Sequence, residues 1–161
     1  MAYTTLNTQT FSSGVTAVTE QFQRLSIDEQ LGLLWFAYTQ LGKGLTPAAP
    51  GAARLQFAQG LLDRIKAMSY PEQMQAMRDI AGKANNDISR SYGLLTNNTK
   101  LAFWYVLGEL MVDGTVIPVP EFYRLGEPAL RVLDGLTRLE FNQQITVMRN
   151  MVINMGVDPL R

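Results

Sequence analysis

The stretch KLAFWYVLGELMV, residues 100–112, decides the fold class, because it is the most apolar part of the chain. It predicts a helix over about residues 98–112, and Asp113 and Gly114 directly after it are typical of a helix end. A helix this apolar is expected in the core of the domain.

A second strong helix signal starts at Ser26 and Glu29, whose spacing is that of a capping box. In such a box each side chain accepts a hydrogen bond from the other residue's backbone N–H. Apolar residues then recur every three or four positions as far as Leu41, and Gly42 and Gly44 predict the helix end. The segment therefore predicts a long amphipathic helix.

The rest of the chain shows the same helical periodicity, interrupted by proline-containing connectors at 45–51 and 116–128. The one alternating segment, 116–119, contains Pro118, which argues against a strand. The sequence predicts an all-α fold of eight or nine helices, in which two packed helical sub-bundles form a single domain over residues 1–161. Residues 1–14 are expected to be a loosely held N-terminal arm. Further helices are expected at about 15–24, 52–68, 88–92, 127–139 and 142–155, with another after a capping box at 69–72.

The composition excludes several classes of function. The chain contains no His and no Cys, which removes thiolate and imidazole catalysis, disulfides and most zinc chemistry. Fourteen basic and fourteen acidic residues give a formal net charge of zero, which disfavours binding to nucleic acid or to an anionic membrane. Neither a signal-peptide pattern nor a run of about 18 apolar residues is found. We therefore expect a cytoplasmic protein without integral membrane insertion.

Candidate catalytic groups are few. Glu109 and Asp113 lie four residues apart on one predicted helix and could act as an acid–base pair. Solvated or ion-paired carboxylates are much more common at that spacing. No glycine-rich loop follows a strand, so nucleotide-binding fingerprints are absent. The sequence does not predict an enzyme.

Aromatic and sulfur-containing side chains are concentrated on the predicted helices. Trp35 and Tyr38 lie on the helix that follows Ser26, and Trp104 and Tyr105 lie on the most apolar helix. Aromatic walls with flexible methionines fit either an ordinary core or a channel for a long apolar ligand, and composition does not decide between them. The methionines at helical spacings are Met74, Met77, Met111, Met148, Met151 and Met155.

Arg149 lies in a nearly uncharged segment, ITVMRNMVINM at 145–155. Its guanidinium must either extend to water or meet a partner. Exposed apolar residues around such an arginine would form a contact patch of the kind found in interfaces. Both interpretations stay open on the residues alone.

Four stretches resemble the N-terminal helical domain of the orange carotenoid protein family. The resemblance covers about residues 25–158, and the joint presence of LLWFAY, AAPGAA, FWY, a Pro-x-Pro connector and QQITV-x-RN is highly specific. Because the chain ends soon afterwards, it is similar to the stand-alone helical carotenoid proteins of cyanobacteria. The stretches are DEQLGLLWFAYTQLGKGLTPAAPGAARLQFA (28–58), KLAFWYVLGELM (100–111), IPVPEFY (117–123) and QQITVMRNMVINMG (143–156).

The resemblance implies an all-α fold with one keto-carotenoid of the canthaxanthin or echinenone type bound in an apolar tunnel. Such a tunnel would explain why only 17% of the residues are charged, against a typical ~25%. Asp28 departs from the glutamate typical of the two-domain relatives, which weakens any claim about charge pairing at that end. The tunnel walls implied by the matching motifs are Leu31, Leu34, Trp35, Tyr38, Gly51, Met77, Leu101, Trp104, Tyr105, Met111, Val119, Pro120, Tyr123, Ile145 and Val152.

The function implied by the resemblance is photoprotection by energy dissipation, with quenching of singlet oxygen as the leading expectation. One alternative is a fluorescence quencher that docks on the phycobilisome with Arg149 in the contact. Another is a carrier that exchanges its carotenoid with a homologue of the missing C-terminal domain. Without that domain we expect a permanently active, red-shifted form with no light switch, present as a monomer or a weak homodimer.

Overall fold

The computed structural model describes residues 2–45 and 55–160, and the side chains within 13–42 and 56–160. Within these residues every regular element is helical, so the all-α prediction is confirmed. None of the described helices is long and apolar enough to cross a bilayer. A short 3-10 helix, Leu55–Ala58, precedes α3. The helices are α1 (Ala2–Gln23), α2 (Ile27–Leu45), α3 (Gln59–Lys66), α4 (Tyr70–Ala81), α5 (Asp87–Gly93), α6 (Asn97–Asp113), α7 (Glu127–Thr137) and α8 (Phe141–Ile153).

Both predicted capping boxes lie at helix starts, but only one is complete. At α4 the Glu72 N–H donates to Ser69 Oγ at 3.3 Å, and the Ser69 N–H donates to the Glu72 carboxylate at 3.0 Å. At α2 the Glu29 N–H donates to Ser26 Oγ at 3.2 Å, and the Ser26 hydroxyl itself donates to the Glu29 carboxylate at 3.0 Å. The reciprocal backbone bond expected at α2 is thus replaced by a bond between side chains.

The start of the first helix was predicted wrongly. The structure places it at Ala2, whereas the sequence predicts a helix only from about residue 15. Thr, Ser and Asn have low helix propensity and favour loops when they are considered locally. Extension of an existing helix needs no new nucleation. Residues 2–14 can therefore continue the helix whose C-terminal half packs against the core. The loose attachment of residues 1–14 stays a prediction.

The end of α2 was also predicted wrongly, because the helix continues through Gly42 to Leu45. A Cβ atom on Gly42 would lie 3.0 Å from the Tyr38 ring and 3.5 Å from the Tyr105 ring. Gly42 therefore permits a close approach of aromatic side chains inside the helix, and its role is packing rather than termination.

The predicted pair of sub-bundles is visible in the packing. Helices α1, α7 and α8 pack together, and α3, α4 and α5 form the other group. Helix α2 packs against α4 of one group and α7 of the other, while α6 lies against α2, α8 and the 3-10 helix. The buried apolar residues form one continuous cluster across both groups. Helices α2 and α6 are thus shared walls at the centre of the domain, where the candidate site lies.

Candidate functional site

Aromatic, aliphatic and thioether side chains surround a cavity between α2, α4, α6, α8 and the connector that follows α6. The cavity has a volume of about 440 Å³, within the ~300–1,000 Å³ typical of small-molecule sites. Thirteen of the fifteen residues implied by the resemblance line it: Leu31, Leu34, Trp35, Tyr38, Met77, Leu101, Trp104, Tyr105, Met111, Val119, Pro120, Tyr123 and Val152.

The two remaining residues implied by the resemblance are Ile145 and Gly51. Ile145 is half-buried and packs against the core without lining the cavity. Gly51 lies outside the described residues. Contact of either residue with a ligand stays a prediction. The structure adds lining residues that the matching motifs did not provide, among them Gly32, Met74, Gly108, Ile117, Pro118 and Met148. The helical spacing of the two methionines was a usable signal, whereas nothing in the sequence distinguishes these glycines.

Aromatic rings from α2 and α6 form the middle of the cavity wall. The Tyr38 ring lies 5.8 Å from that of Trp35 and makes an edge-on contact of 5.3 Å with that of Tyr105. A Cβ atom on Gly108 would lie 2.9 Å from the Tyr38 ring. The missing side chain at Gly108 therefore lets α6 approach Tyr38 closely, and the two helices share one continuous aromatic surface.

Burial affects the titration of Tyr38. Burial raises the pKa of its phenol above the ordinary value, and the nearby Tyr105 and Glu109 raise it further. Tyr38 is therefore neutral at physiological pH and places no charge on the cavity wall. A neutral wall favours an apolar ligand.

The polar edge of Trp104 is satisfied by a residue behind the wall. Its Nε1–H donates to Tyr92 Oη at 3.0 Å, and the Tyr92 hydroxyl donates to the backbone carbonyl of Val152 at 2.6 Å. Tyr92 is fully buried, and burial raises the pKa of its phenol far above the ordinary value. The hydroxyl is thus a permanent donor, and Trp104 needs no polar partner from inside the cavity.

The connector after α6 covers one side of the cavity and is fixed by Gln73 of α4. Gln73 is 1% exposed, and its side-chain amide donates to the carbonyls of Ile65 and Thr115, each at 3.1 Å. Its amide oxygen accepts the Ile117 N–H at 2.8 Å. The connector has no regular secondary structure, so its backbone groups lack helical hydrogen bonds and bond to Gln73 instead. These bonds hold Pro118 and the residues after it against the cavity.

Charge is found at the end of the cavity formed by the first turn of α2. Arg78 of α4 forms a two-point ion pair with Asp28, with Nε–Oδ1 and Nη2–Oδ2 distances of 2.9 and 3.2 Å. Hydrogen bonding to Asp28 raises the pKa of the guanidinium. Tyr123 lies close by, and burial, followed by Asp28 and Glu29, raises the pKa of its phenol. The shorter carboxylate at position 28 therefore does form an ion pair.

The other candidates from the sequence lie away from the cavity lining. Arg149 is half-buried, and its Nε is buried with no hydrogen-bond partner among the described residues. Glu109 and Asp113 are exposed, and the pKa of Asp113 is lowered by a hydrogen bond from Thr115. Their arrangement gives no acid–base pair in a cleft. No group of three or more potential metal-ligating side chains occurs in the described part of the chain.

Comparisons with known proteins agree with this architecture. The sequence matches the family described as "Orange carotenoid protein, N-terminal" over residues 8–158. An orange carotenoid-binding domain-containing protein of Nostoc sp. is 61% identical over 139 residues, which cover 86% of this chain and 81% of that protein.

Two solved structures resemble the fold closely. The Orange Carotenoid Protein of Anabaena (Nostoc) sp., which binds canthaxanthin, has a TM-score of 0.83 and 46% identity over 89% of this chain. The Red Carotenoid Protein of the same organism, which binds a mixture of carotenoids, has a TM-score of 0.78 and 34% identity, also over 89% of this chain.

The chain spans 46% of the Orange Carotenoid Protein chain, about half its length, and 98% of the Red Carotenoid Protein chain. The family match covers the helices and connector that build the cavity. On this evidence the chain belongs to the family of the N-terminal domain of the orange carotenoid protein.

Proposed function

We propose that the cavity binds one keto-carotenoid, of the canthaxanthin or echinenone type, and that the protein is a water-soluble, carotenoid-binding photoprotective protein of the cytoplasm. The observation that supports the proposal is the apolar cavity itself, with aromatic rings and thioethers along its length. Related proteins that bind canthaxanthin or a mixture of carotenoids share the fold.

The residues fit a polyene on physical grounds. Trp35, Tyr38 and Tyr105 offer flat faces for dispersion contacts, and Met74 and Met111 adapt to an irregular surface. Trp104 has its N–H bonded behind the wall, so it presents apolar surface to a ligand. The protein would hold the polyene extended and exclude water from it, and the pigment would supply the low-lying excited states that release energy as heat.

Singlet oxygen is the proposed target, because its quenching needs only a bound pigment and no docking partner. A second candidate is docking on a phycobilisome. It is favoured by Arg149, whose buried Nε has no partner among the described residues. Arg149 is half-buried and forms no ion pair among the described residues, so its charge is available to an acidic partner. Delivery of the carotenoid to another protein remains a third candidate.

The decisive experiment is purification from a host that makes keto-carotenoids, followed by absorption spectroscopy of the wild type and of Trp35→Ala. We expect a stoichiometric, red-shifted carotenoid band in the wild type and a reduced band in the variant. Phe141→Ala is the matched control, because this side chain is 52% exposed and does not line the cavity. A folded but colourless wild type would contradict the proposal.

The quenching target is tested with Arg149→Ala. If singlet oxygen is the target, the variant keeps its quenching in solution. If the protein docks on the phycobilisome, the variant loses quenching of antenna fluorescence while it retains its pigment. Loss of colour on mixing with an apo acceptor protein would instead support the carrier role.

A further inference from the structure

The cavity has one charged end, and the charged residues there lie where the cavity meets the protein surface. Among the described lining residues only Asp28 and Arg78 carry charge. The same two side chains also line a more open depression on the surface, together with Gln75 and Asp79. Their ion pair therefore lies between the interior of the cavity and the outside.

The geometry of the pair leaves donor capacity on the arginine. Nε and Nη2 each use one N–H on the Asp28 carboxylate. A guanidinium carries five N–H groups, so three remain outside this pair. Two-point contact with Asp28 fixes the plane of the guanidinium. Less conformational entropy is therefore lost when the guanidinium donates a hydrogen bond to a further partner.

A ligand with an oxygen on a terminal ring loses hydrogen bonds to water when it enters an apolar cavity. That loss is avoided where a protein donor, or water at an open end of the cavity, meets the oxygen. Most of the described lining of this cavity is aliphatic, aromatic or thioether, although three tyrosine hydroxyls and the indole N–H of Trp35 are also present. Among the described lining residues only Arg78 carries charged N–H donors, and hydrogen bonds from such donors are about twice as strong as neutral ones. A ring without oxygen would gain nothing from them.

This inference rests on the proposed function and deepens it. We propose that Arg78, positioned by Asp28, donates a hydrogen bond to the ring oxygen of the bound carotenoid and thereby makes the site selective for oxygenated rings. Asp28 acts through Arg78 and is a positioning residue. The apolar part of the wall supplies affinity for the polyene, and the charged end supplies discrimination.

The test is titration of purified apo-protein with detergent-solubilised canthaxanthin and, separately, with β-carotene, which has no oxygen. In Arg78→Met the stem of the side chain is kept and the donors are lost. We expect the preference for canthaxanthin over β-carotene to fall about three- to tenfold, through weaker canthaxanthin binding alone. Arg131→Met is the matched control, because it breaks an exposed ion pair with Glu127 away from the cavity and should leave the preference unchanged.

A second readout is the infrared carbonyl stretch of bound canthaxanthin. In the wild type one carbonyl band should lie below the other, and in Arg78→Met that band should move up to the unbonded position. If Arg78→Met does not fold, Asp28→Asn takes its place and should give a smaller fall in preference, because the guanidinium is then present but no longer held.

Two results would overturn the inference while the proposed function survives. One is an unchanged preference in Arg78→Met, and the other is an equal loss of affinity for both carotenoids, which would reduce Arg78 to a packing role. A wild-type protein that binds neither carotenoid would overturn the proposed function and this inference together.

Discussion

The cavity wall and the layer directly behind it differ in polarity and in burial. Wall residues such as Trp35, Tyr38 and Met111 are only partly buried and contribute apolar surface. The layer behind contains Gln73 and Tyr92, which are almost fully buried and hydrogen-bonded to the backbone. A buried polar group is stabilising only when its partners are in place. The shape of the apolar site is therefore set by polar residues that a ligand would never contact.

Helix α6 connects the two layers. On one side Trp104 and Tyr105 face the cavity, and on another Lys100 is 8% exposed and donates from Nζ to the Ile153 carbonyl at 2.9 Å. That carbonyl belongs to the last turn of α8, where a cation is favourable. Burial lowers the pKa of Lys100, an effect that the carboxylate of Asp158 opposes. The polar layer thus joins α6 to α8 while the aromatic layer forms the site.

The largest effect is expected from removal of Gln73. Gln73→Leu leaves the Thr115 carbonyl and the Ile117 N–H without this partner, while the Ile65 carbonyl keeps its bond from the Met68 N–H. The substitution should lower the free energy of unfolding by about 2–4 kcal/mol. Urea denaturation of the apo-protein measures the loss. The same substitution two residues on, Gln75→Leu, removes only an exposed bond to Asp79 and should change stability by about 0.5 kcal/mol or less. Similar losses in both variants would show that Gln73 has no special role in holding the connector.

A smaller effect is expected from Tyr92→Phe, which keeps the ring and removes the hydroxyl. Trp104 Nε1 then loses its partner, while the Val152 carbonyl keeps its bond from the Met155 N–H, and we expect a loss of about 1–3 kcal/mol at pH 7. The Trp104 fluorescence should change as well, because the position of the indole is no longer fixed. An unchanged stability and spectrum would mean that the layer behind the wall does not control it.

The same variant gives a test by pH. The folded-state pKa of Tyr92 is raised, so above the ordinary value of 10.0 the folded state binds more protons than the unfolded state. Stability from this group is full below pH 10 and is lost as pH rises further. At pH 11 the wild type should have lost about 1.4 kcal/mol that Tyr92→Phe cannot lose, so the gap between the two proteins should narrow by that amount. A constant gap between pH 7 and 11 would contradict the assigned burial.

The sequence predicted the wall far better than the layer behind it. The motif resemblance implied thirteen residues that line one cavity, because each lies in or beside a short stretch of sequence that matches the family. Gln73 and Tyr92 were not singled out, since their partners are backbone groups as far as 44 and 60 residues away in the chain. No local pattern records such a pairing.

The helix ends also show that local sequence patterns miss the effect of residues distant in the chain. Gly42 satisfies the local rule for a helix end, yet α2 continues past it, and the space where its side chain would lie is taken by aromatic rings. Local propensity is a weak prior that tertiary packing overrides. The complete capping box at Ser69 was predicted correctly, because there both partners lie within four residues of each other.

The smallest effect concerns the glycines. The sign of the change in the free energy of unfolding decides whether helix propensity or tertiary packing dominates at each one. By helix propensity alone, Gly60→Ala and Gly108→Ala should both stabilise, by up to about 1 kcal/mol. A Cβ on Gly60 meets nothing within 4 Å, so Gly60→Ala should follow the rule and raise stability by about 0.5 kcal/mol. A Cβ on Gly108 meets three atoms of the Tyr38 ring at 2.9, 2.9 and 3.0 Å, and overpacking of that kind costs roughly 1–3 kcal/mol. Gly108→Ala should therefore be neutral to destabilising, by about 1 kcal/mol, and should change the near-ultraviolet circular dichroism of the displaced tyrosine. If both variants are stabilised equally in urea denaturation, Tyr38 is free to move, and the aromatic wall is adaptable where the structure shows it held between two helices.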